Sequence, residues 1–356
     1  MKKDLCIKKM LFAFCITICL CFIACNSTKT QIDERSRSGV VLILNTEYYT
    51  LTLPNGSVFY FSGDSDGNIT NICLEKEDCE QSSMGTGFFI SNDGKIATNK
   101  HVASRTVSDR SMVRMTKQII NLILAQLEEQ NKTAVQTQQQ LAYQYNHTNN
   151  AAEKATLSQK YGELEDEIEE NNKLIKELER TDADGSDIEY HSSLSVAYNG
   201  TFVKSVEDFY PCTLRDTSNY DLAIIQLNSK QTPKDRYIFS IPSKNMLEHY
   251  SFGEYLSRLV GGDKNEKLYL IGFNRGLVLA LTGEGIYTQC TEGSISRDEK
   301  SRLLYSIATL PGSSGSPVLN SRGQLVAINY AGIKDGQNFN FGIKAKYLYE
   351  LIHKNQ

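Results

Sequence analysis

The chain has 356 residues, 40% of them hydrophobic and 22% charged, with a formal net charge of −4. This is the composition of a globular protein long enough for a sizeable core, and it excludes a wholly disordered chain. The mildly acidic balance argues against nucleic acid as a partner.

In chain order, Lys2, Lys3, Lys8 and Lys9 precede an apolar run from Met10 to Ile23, about 14 residues and too short to cross a bilayer comfortably. Residues 1–24 therefore read as an export signal. Its end, FIAC at Phe22 to Cys25, resembles the bacterial lipoprotein box, with Phe22 where that box usually carries leucine. The resemblance implies lipidation at Cys25, a membrane contact through the N-terminal lipid, and a place in the bacterial cell envelope on the periplasmic or surface side. A plain secretory signal cleaved nearby is the alternative. Loss of residues 1–24 removes four lysines and Asp4 and leaves a formal charge of about −7. Two acyl chains suffice for stable anchoring without a transmembrane helix.

Of nine cysteines, four lie in the signal and Cys25 at its end, leaving Cys73, Cys79, Cys212 and Cys290. An even number in an oxidising compartment permits disulfides, and Cys73 with Cys79 would close a short loop. A zinc site is the rival, but one C-x5-C without nearby histidines fits no common ligand spacing. No metal and no cofactor are expected.

Residues 25–38 form a polar tether. Apolar or alternating runs at Val40 to Leu44, Tyr48 to Leu53 and Ser57 to Ser62 predict strands, with Pro54 to Gly56 as a turn. In GTGFFISNDGKIATNKHVA, Gly85 to Ala103, Asn92, Asp93 and Gly94 separate two apolar strands, a hairpin signal. Residues 105–185 change to a helical period. Leu157, Tyr161, Leu164, Ile168, Asn171, Ile175 and Leu178 form a coiled-coil seam with one polar layer, and Ile120, Ile123 and Leu127 begin a matching one. With the break at Asn146 to Asn150 this predicts an inserted antiparallel helical hairpin, a surface for a protein partner or self-association. Strands resume over 186–240, a linker with a short helix near Met246 to Val260 occupies 241–265, and 266–356 carry further strands and a closing helix at Ala345 to His353. The parts outside the insertion, with 39–104 as the first, have the size of an all-β domain of two barrels.

PGSSGSPV, Pro311 to Val318, places three serines in six positions. A serine hydroxyl is a weak nucleophile and needs a base, an orienter for that base, and donors aimed at the developing oxyanion. Among five histidines, His101 in TNKHVA follows the second hairpin strand; His147, His191, His249 and His353 have no matching motif. Asp221 opens the apolar run of NYDLAIIQL, where a partly buried carboxylate could hold an imidazole tautomer; Asp208 and Asp216 are its competitors. DSDGN at Asp64 to Asn68 and DADGSD at Asp182 to Asp187 suggest calcium loops, but the glycine is too early, and turns explain them.

GTGFFIS with GKIATNKHV, then YDLAIIQL, LYLIGFNRG and GSSGSPVLNSRGQLVAINYAG, resemble in this order the trypsin-like serine peptidases of the chymotrypsin fold, most closely the bacterial HtrA-type peptidase domains. The resemblance implies an all-β, chymotrypsin-like double barrel interrupted by the helical hairpin. It implies a nucleophile at Ser314, a base at His101, an orienter at Asp221, and an oxyanion hole from the N–H groups of Gly312 and Ser314. Ser316 departs from the family's second glycine, and Ser313 from the aspartate of the animal enzymes. The nucleophile-elbow reading G-x-S-x-G fails because its last glycine would be Ser316. Also by resemblance, Ala308 is the pocket floor, Ile328, Asn329 and Tyr330 contribute to the substrate wall, and the peptide adds as a strand along Ile328 to Tyr330. With no acid at Ala308, the implied preference is a small or medium apolar residue.

The resulting expectation is an exported serine endopeptidase acting on polypeptides through an acyl-enzyme. Free imidazole titrates at about 6.5, so activity should rise from acid toward neutral pH. The rival is a protease-shaped binding or sensor module that presents the hairpin to a partner.

Overall fold

The computed structural model describes residues 27–64, 68–73, 75–105, 109–247, 266–332 and 340–354. The export signal, Cys25 and most of the helix expected near Met246 to Val260 lie outside the described residues, as do 65–67 of the first acidic turn. By its contacts the chain divides into two compact units: residues 1–46, 82–105 and 192–356 in one, residues 47–81 and 106–191 in the other.

The first unit opens on helix α1, Lys29–Ser36. The polar tether expected over 25–38 is corrected here over 29–36, which is helix. Thr28 and Gln31 form a reciprocal capping box, Ile32 is 1% exposed, and the Ser27 N–H donates to the Ser321 carbonyl at 2.9 Å. A buried isoleucine and two satisfied end groups give this short helix what its polar composition alone does not.

Strands β1 (Val40–Thr52), β2 (Val58–Gly63), β3 (Ile69–Cys73), β4 (Gln81–Phe89), β5 (Lys95–Asn99), β6 (Asp187–Tyr198), β7 (Tyr210–Thr217) and β8 (Leu222–Leu227) form one sheet. The two runs expected at Val40 to Leu44 and Tyr48 to Leu53 are one continuous strand. The order β1-β4-β5-β8-β7-β6, with β6 also pairing β1, closes a six-stranded barrel, and β2 and β3 extend from β1. A second closed barrel is built from β9 (Lys267–Gly272), β12 (Gln289–Asp298), β13 (Arg302–Tyr305), β14 (Pro317–Asn320), β15 (Leu325–Gly332) and β16 (Asn340–Lys344). Between β9 and β12 lie a helical turn α6 (Leu277–Ala280) and the short strands β10 (Leu281–Thr282) and β11 (Gly285–Ile286). The fold is thus the chymotrypsin-like double barrel.

Alternation explains why the apolar runs are continuous. Side chains along a strand point to opposite faces. Val41 and Ile43 fill the first barrel with Phe89, Ile96, Ala223 and Ile225, while Val40, Leu42 and Leu44 join Phe88, Ala97 and Ile224 in a core shared with the second barrel. On β9, Leu268 and Leu270 point into the second barrel, and Tyr269 and Ile271 into the shared core. Strands buried on both faces lose the polar half of the pattern.

The second unit holds helices α4 (Asp109–His147) and α5 (Ala151–Glu179), which pack together as the helical insertion, and a short helix α2 (Lys76–Cys79). Asn171 Nδ2 donates to Asn131 Oδ1 at 2.9 Å, and Asn131 Nδ2 donates to Asn172 Oδ1 at 3.1 Å. Leu157 and Leu178 of the expected seam are buried, while Tyr161 is exposed. The unit is wider than the insertion expected over 105–185: Tyr49, Leu51, Phe59 and Phe61 share its core with Ile119, Ile123, Leu127, Leu178 and Ile188. Residues 47–81, read from sequence as part of the first barrel, belong to this unit. Among the described residues no helix is long and apolar enough to cross a membrane.

Candidate active site

A short helical turn, α3 (Lys100–Ala103), follows β5 and carries His101. β5 pairs with β8 so that Asn99 faces Leu222, which sets the next residues of β5 beside Asp221. Asp221 adopts φ 61°, a left-handed conformation that costs a non-glycine residue about 1 kcal/mol or more. Four hydrogen bonds hold it there. Its carbonyl accepts from Lys100 N–H at 3.0 Å and Asn99 Nδ2 at 3.1 Å, and its carboxylate accepts from His101 N–H at 2.9 Å and faces His101 Nδ1 at 2.7 Å. With the ring neutral, Nδ1 carries the proton toward the carboxylate and Nε2 is left as an acceptor.

The competitors are occupied elsewhere. Asp208 accepts from the N–H groups of Lys204 and Ser205, and Asp216 from that of Thr217. His147 and His353 each meet a backbone carbonyl one helical turn back, and His191 stacks on Tyr48 with its nearest carboxylate, Glu189, at 3.7 Å. His249 lies outside the described residues.

The serine-rich segment is a tight turn leading into β14, and its three hydroxyls differ sharply. Ser313 is 2% exposed; its Oγ donates to the Leu310 carbonyl at 2.7 Å and accepts from Asn329 Nδ2 at 3.2 Å. Ser316 is fully buried against Gly272, its oxygen without a partner among the described residues. Ser314 alone is partly exposed. Gly312 (φ 95°) and Gly315 (φ 87°) supply the left-handed backbone of the turn.

Backbone donors in the turn alternate. Ser313 N–H is used by the Leu310 carbonyl and Gly315 N–H by the Asn329 carbonyl, whereas the N–H groups of Gly312 and Ser314 have no partner among the described residues. Their directions are set through the carbonyls of the same peptide planes, since C=O and N–H of a trans peptide point opposite ways. The Pro311 carbonyl accepts from Arg275 N–H at 2.6 Å. The Ser313 carbonyl accepts from Ser316 N–H at 3.1 Å and Asn329 Nδ2 at 3.0 Å. Two unpaired donors, each on a fixed plane, are thus the accessible serine's own N–H and that of Gly312, an arrangement able to receive negative charge on an oxygen.

The remaining sequence candidates are distributed differently from expectation. Ala308 is exposed and followed by Thr309, whose hydroxyl donates to Asn340 Oδ1 at 2.7 Å. Ile328 and Asn329 do not present side chains to a substrate: they are 0% and 2% exposed, and the Asn329 amide is spent on Ser313 and on Tyr305, whose hydroxyl donates to Asn329 Oδ1 at 2.6 Å. Nor can a peptide strand add along Ile328, which already faces Pro317 and Ile343, or along Asn329, whose N–H and carbonyl bind Ser316 and Gly315. The strand is doubly paired there because β15 runs between β14 and β16 in the closed barrel. Tyr330 sits at a bulge in β15, half-buried, with Arg302 Nη1 donating to its hydroxyl at 3.3 Å. Cys73 and Cys79 are joined by a disulfide in the second unit, while Cys212 and Cys290 are free thiols.

Sequence reasoning passed over Thr86, Arg275 and the tethering role of Asn329. Thr86 stands inside the quoted GTGFFIS, and the signal that could have found it is a polar side chain between two glycines directly before the apolar run Phe88 to Ile90.

Residues 181–328 match the family described as Trypsin-like peptidase domain. Among solved structures, a serine endoprotease from Yersinia pestis aligns at 14% identity with a TM-score of 0.43, over 92% of this chain and 66% of that one.

Proposed function

From a chain whose residues 181–328 match the trypsin-like peptidase domain, we propose a serine endopeptidase in which Ser314 is the nucleophile, His101 the general base and Asp221 its orienter. Ser314 Oγ attacks the peptide carbonyl as His101 Nε2 takes its proton, and the carbonyl oxygen becomes an oxyanion received by the N–H groups of Gly312 and Ser314. The same proton goes to the departing amine, leaving an ester on Ser314. Water, deprotonated by His101, then attacks that ester, and His101 returns the proton to the departing Ser314 Oγ, which frees the serine and releases the carboxylic acid. Asp221 holds the tautomer and offsets the charge of the imidazolium.

The observation that carries this reading is selective exposure: of three serines in the turn, the accessible one is also the one whose own N–H is unpaired, together with that of Gly312 two residues before it. Peptide substrates are expected to pair from Tyr330 onward, where β15 is no longer flanked by β14. A small or medium apolar residue before the cleaved bond agrees with the absence of an acid at Ala308. Export, lipid attachment at Cys25 and a place in the cell envelope rest on the Lys-rich start, the apolar run and FIAC.

A fluorophosphonate probe, which reacts only with an activated serine, tests the reading. Labelling is expected in the parent, Ser313→Ala and Ser316→Ala proteins and lost in Ser314→Ala. An unlabelled parent would favour the binding-module alternative.

A further inference from the structure

We propose that Thr86 is a positioning residue that locks the geometry of the oxyanion donors and ties the nucleophile turn to the barrel that carries the base. The inference rests on the peptidase reading above.

Thr86 lies on β4, beside β5, and is 0% exposed. All its polar groups are used. Its hydroxyl donates to the Gly312 carbonyl at 2.8 Å and accepts from Phe273 N–H at 3.0 Å. Its own N–H donates to the Ser314 carbonyl at 2.8 Å, and its carbonyl accepts from Thr98 Oγ1 at 2.7 Å. Thr98 is three residues before His101. A Cβ on Gly315 would run into the Thr86 carbonyl oxygen and the Thr98 hydroxyl, so this contact requires glycine at 315.

Four consecutive peptide planes define the turn. The planes carrying the donors, 311–312 and 313–314, are held by Arg275 and by Ser316 with Asn329. The two that follow each donor, 312–313 and 314–315, are held at their carbonyls by the Thr86 hydroxyl and the Thr86 N–H. The angle between neighbouring planes is the backbone conformation of the residue they share, so Thr86 fixes ψ at both Gly312 and Ser314. A glycine with φ 95° has no side chain to restrict it and depends on such outside contacts. Thr86 touches no reacting atom. Its effect passes through the donors, which work only when preorganised.

The experiment follows fluorophosphonate labelling in the full chain, resolving the maximal inactivation rate constant from the half-saturating probe concentration, beside thermal unfolding. Thr86→Val keeps the shape and removes the hydroxyl; Thr86→Ala replaces it should the valine variant fail to fold. Loss of a whole oxyanion donor costs about 100- to 1,000-fold, so a loosened pair is expected to lower the maximal rate about 10- to 100-fold. Half-saturation should change less than about twofold, and Thr86→Ser should restore the rate to within about threefold. A merely structural threonine would lower the unfolding temperature while the folded fraction reacted at the parental rate, and that result overturns the proposal. So does a serine variant as slow as the valine one. A parent without labelling would instead overturn the peptidase reading and this inference together.

Discussion

Asp221 shows how local cost and function meet at one residue. Its φ of 61° is held by four contacts from Asn99, Lys100 and His101, two of which use the carboxylate. Asp221→Asn keeps size and much of this geometry but exchanges an anion for an amide that can favour the wrong imidazole tautomer. A loss of about 1,000- to 10,000-fold in turnover is expected, read from labelling and peptide-hydrolysis rates at constant fold by circular dichroism. The free thiols argue in the opposite direction. Burial pushes Cys212 and Cys290 up to about 12, so both are neutral at neutral pH and poor nucleophiles. Iodoacetamide at pH 8 is expected to leave them unmodified in the native protein and to react with both after denaturation, as mass spectrometry would count. A raised pKa also means that any stability they contribute is present below the unfolded value of about 8.5 and is lost as pH rises toward 12.

At the scale of elements, α1 and the β4–β5 hairpin work by contact with strands far along the chain. Eight residues of low hydrophobicity do not form a helix unaided, yet α1 has a capping box at its start and a fully packed Ile32. Ile32→Ala should cost about 2–4 kcal/mol and Thr28→Ala about 0.5–2 kcal/mol, measured by denaturant unfolding. A tether without packing would show neither loss. The hairpin is positioned similarly: Gly94 turns at φ 81°, its N–H bound to the Thr232 hydroxyl, and the strand that follows ends in the turn bearing His101.

For the whole molecule, the division into two units sets what a distant substitution can do. Every group named in the candidate site lies within residues 82–105 and 192–356, in the first unit. Leu178 is 1% exposed in the core of the second. Leu178→Ala is therefore expected to destabilise its own unit by about 2–5 kcal/mol, seen as a lowered unfolding transition, while the rate of Ser314 labelling at lower temperature stays at the parental value. A parallel loss of both would overturn this independence.

Much of this protein was legible without coordinates. Hydrophobic period separated the long helices from the strands, the turn chemistry at Asn92 to Gly94 marked the hairpin, and the motifs that carry the family resemblance pointed to His101, Asp221 and Ser314, of which the structure joins the first two by hydrogen bonds; period and motif are properties of neighbours in the chain. What needed the tertiary structure was everything made by partners distant in sequence: that Ile328 and Asn329 face inward rather than toward a substrate, that residues 47–81 share a core with the helices, that 29–36 is packed helix, and that Thr86 reaches across some 226 positions to the Gly312 carbonyl. Burial and hydrogen-bond partnership depend on which strands become adjacent when the barrels close. A one-dimensional pattern lists the groups that need partners, and only closure assigns them.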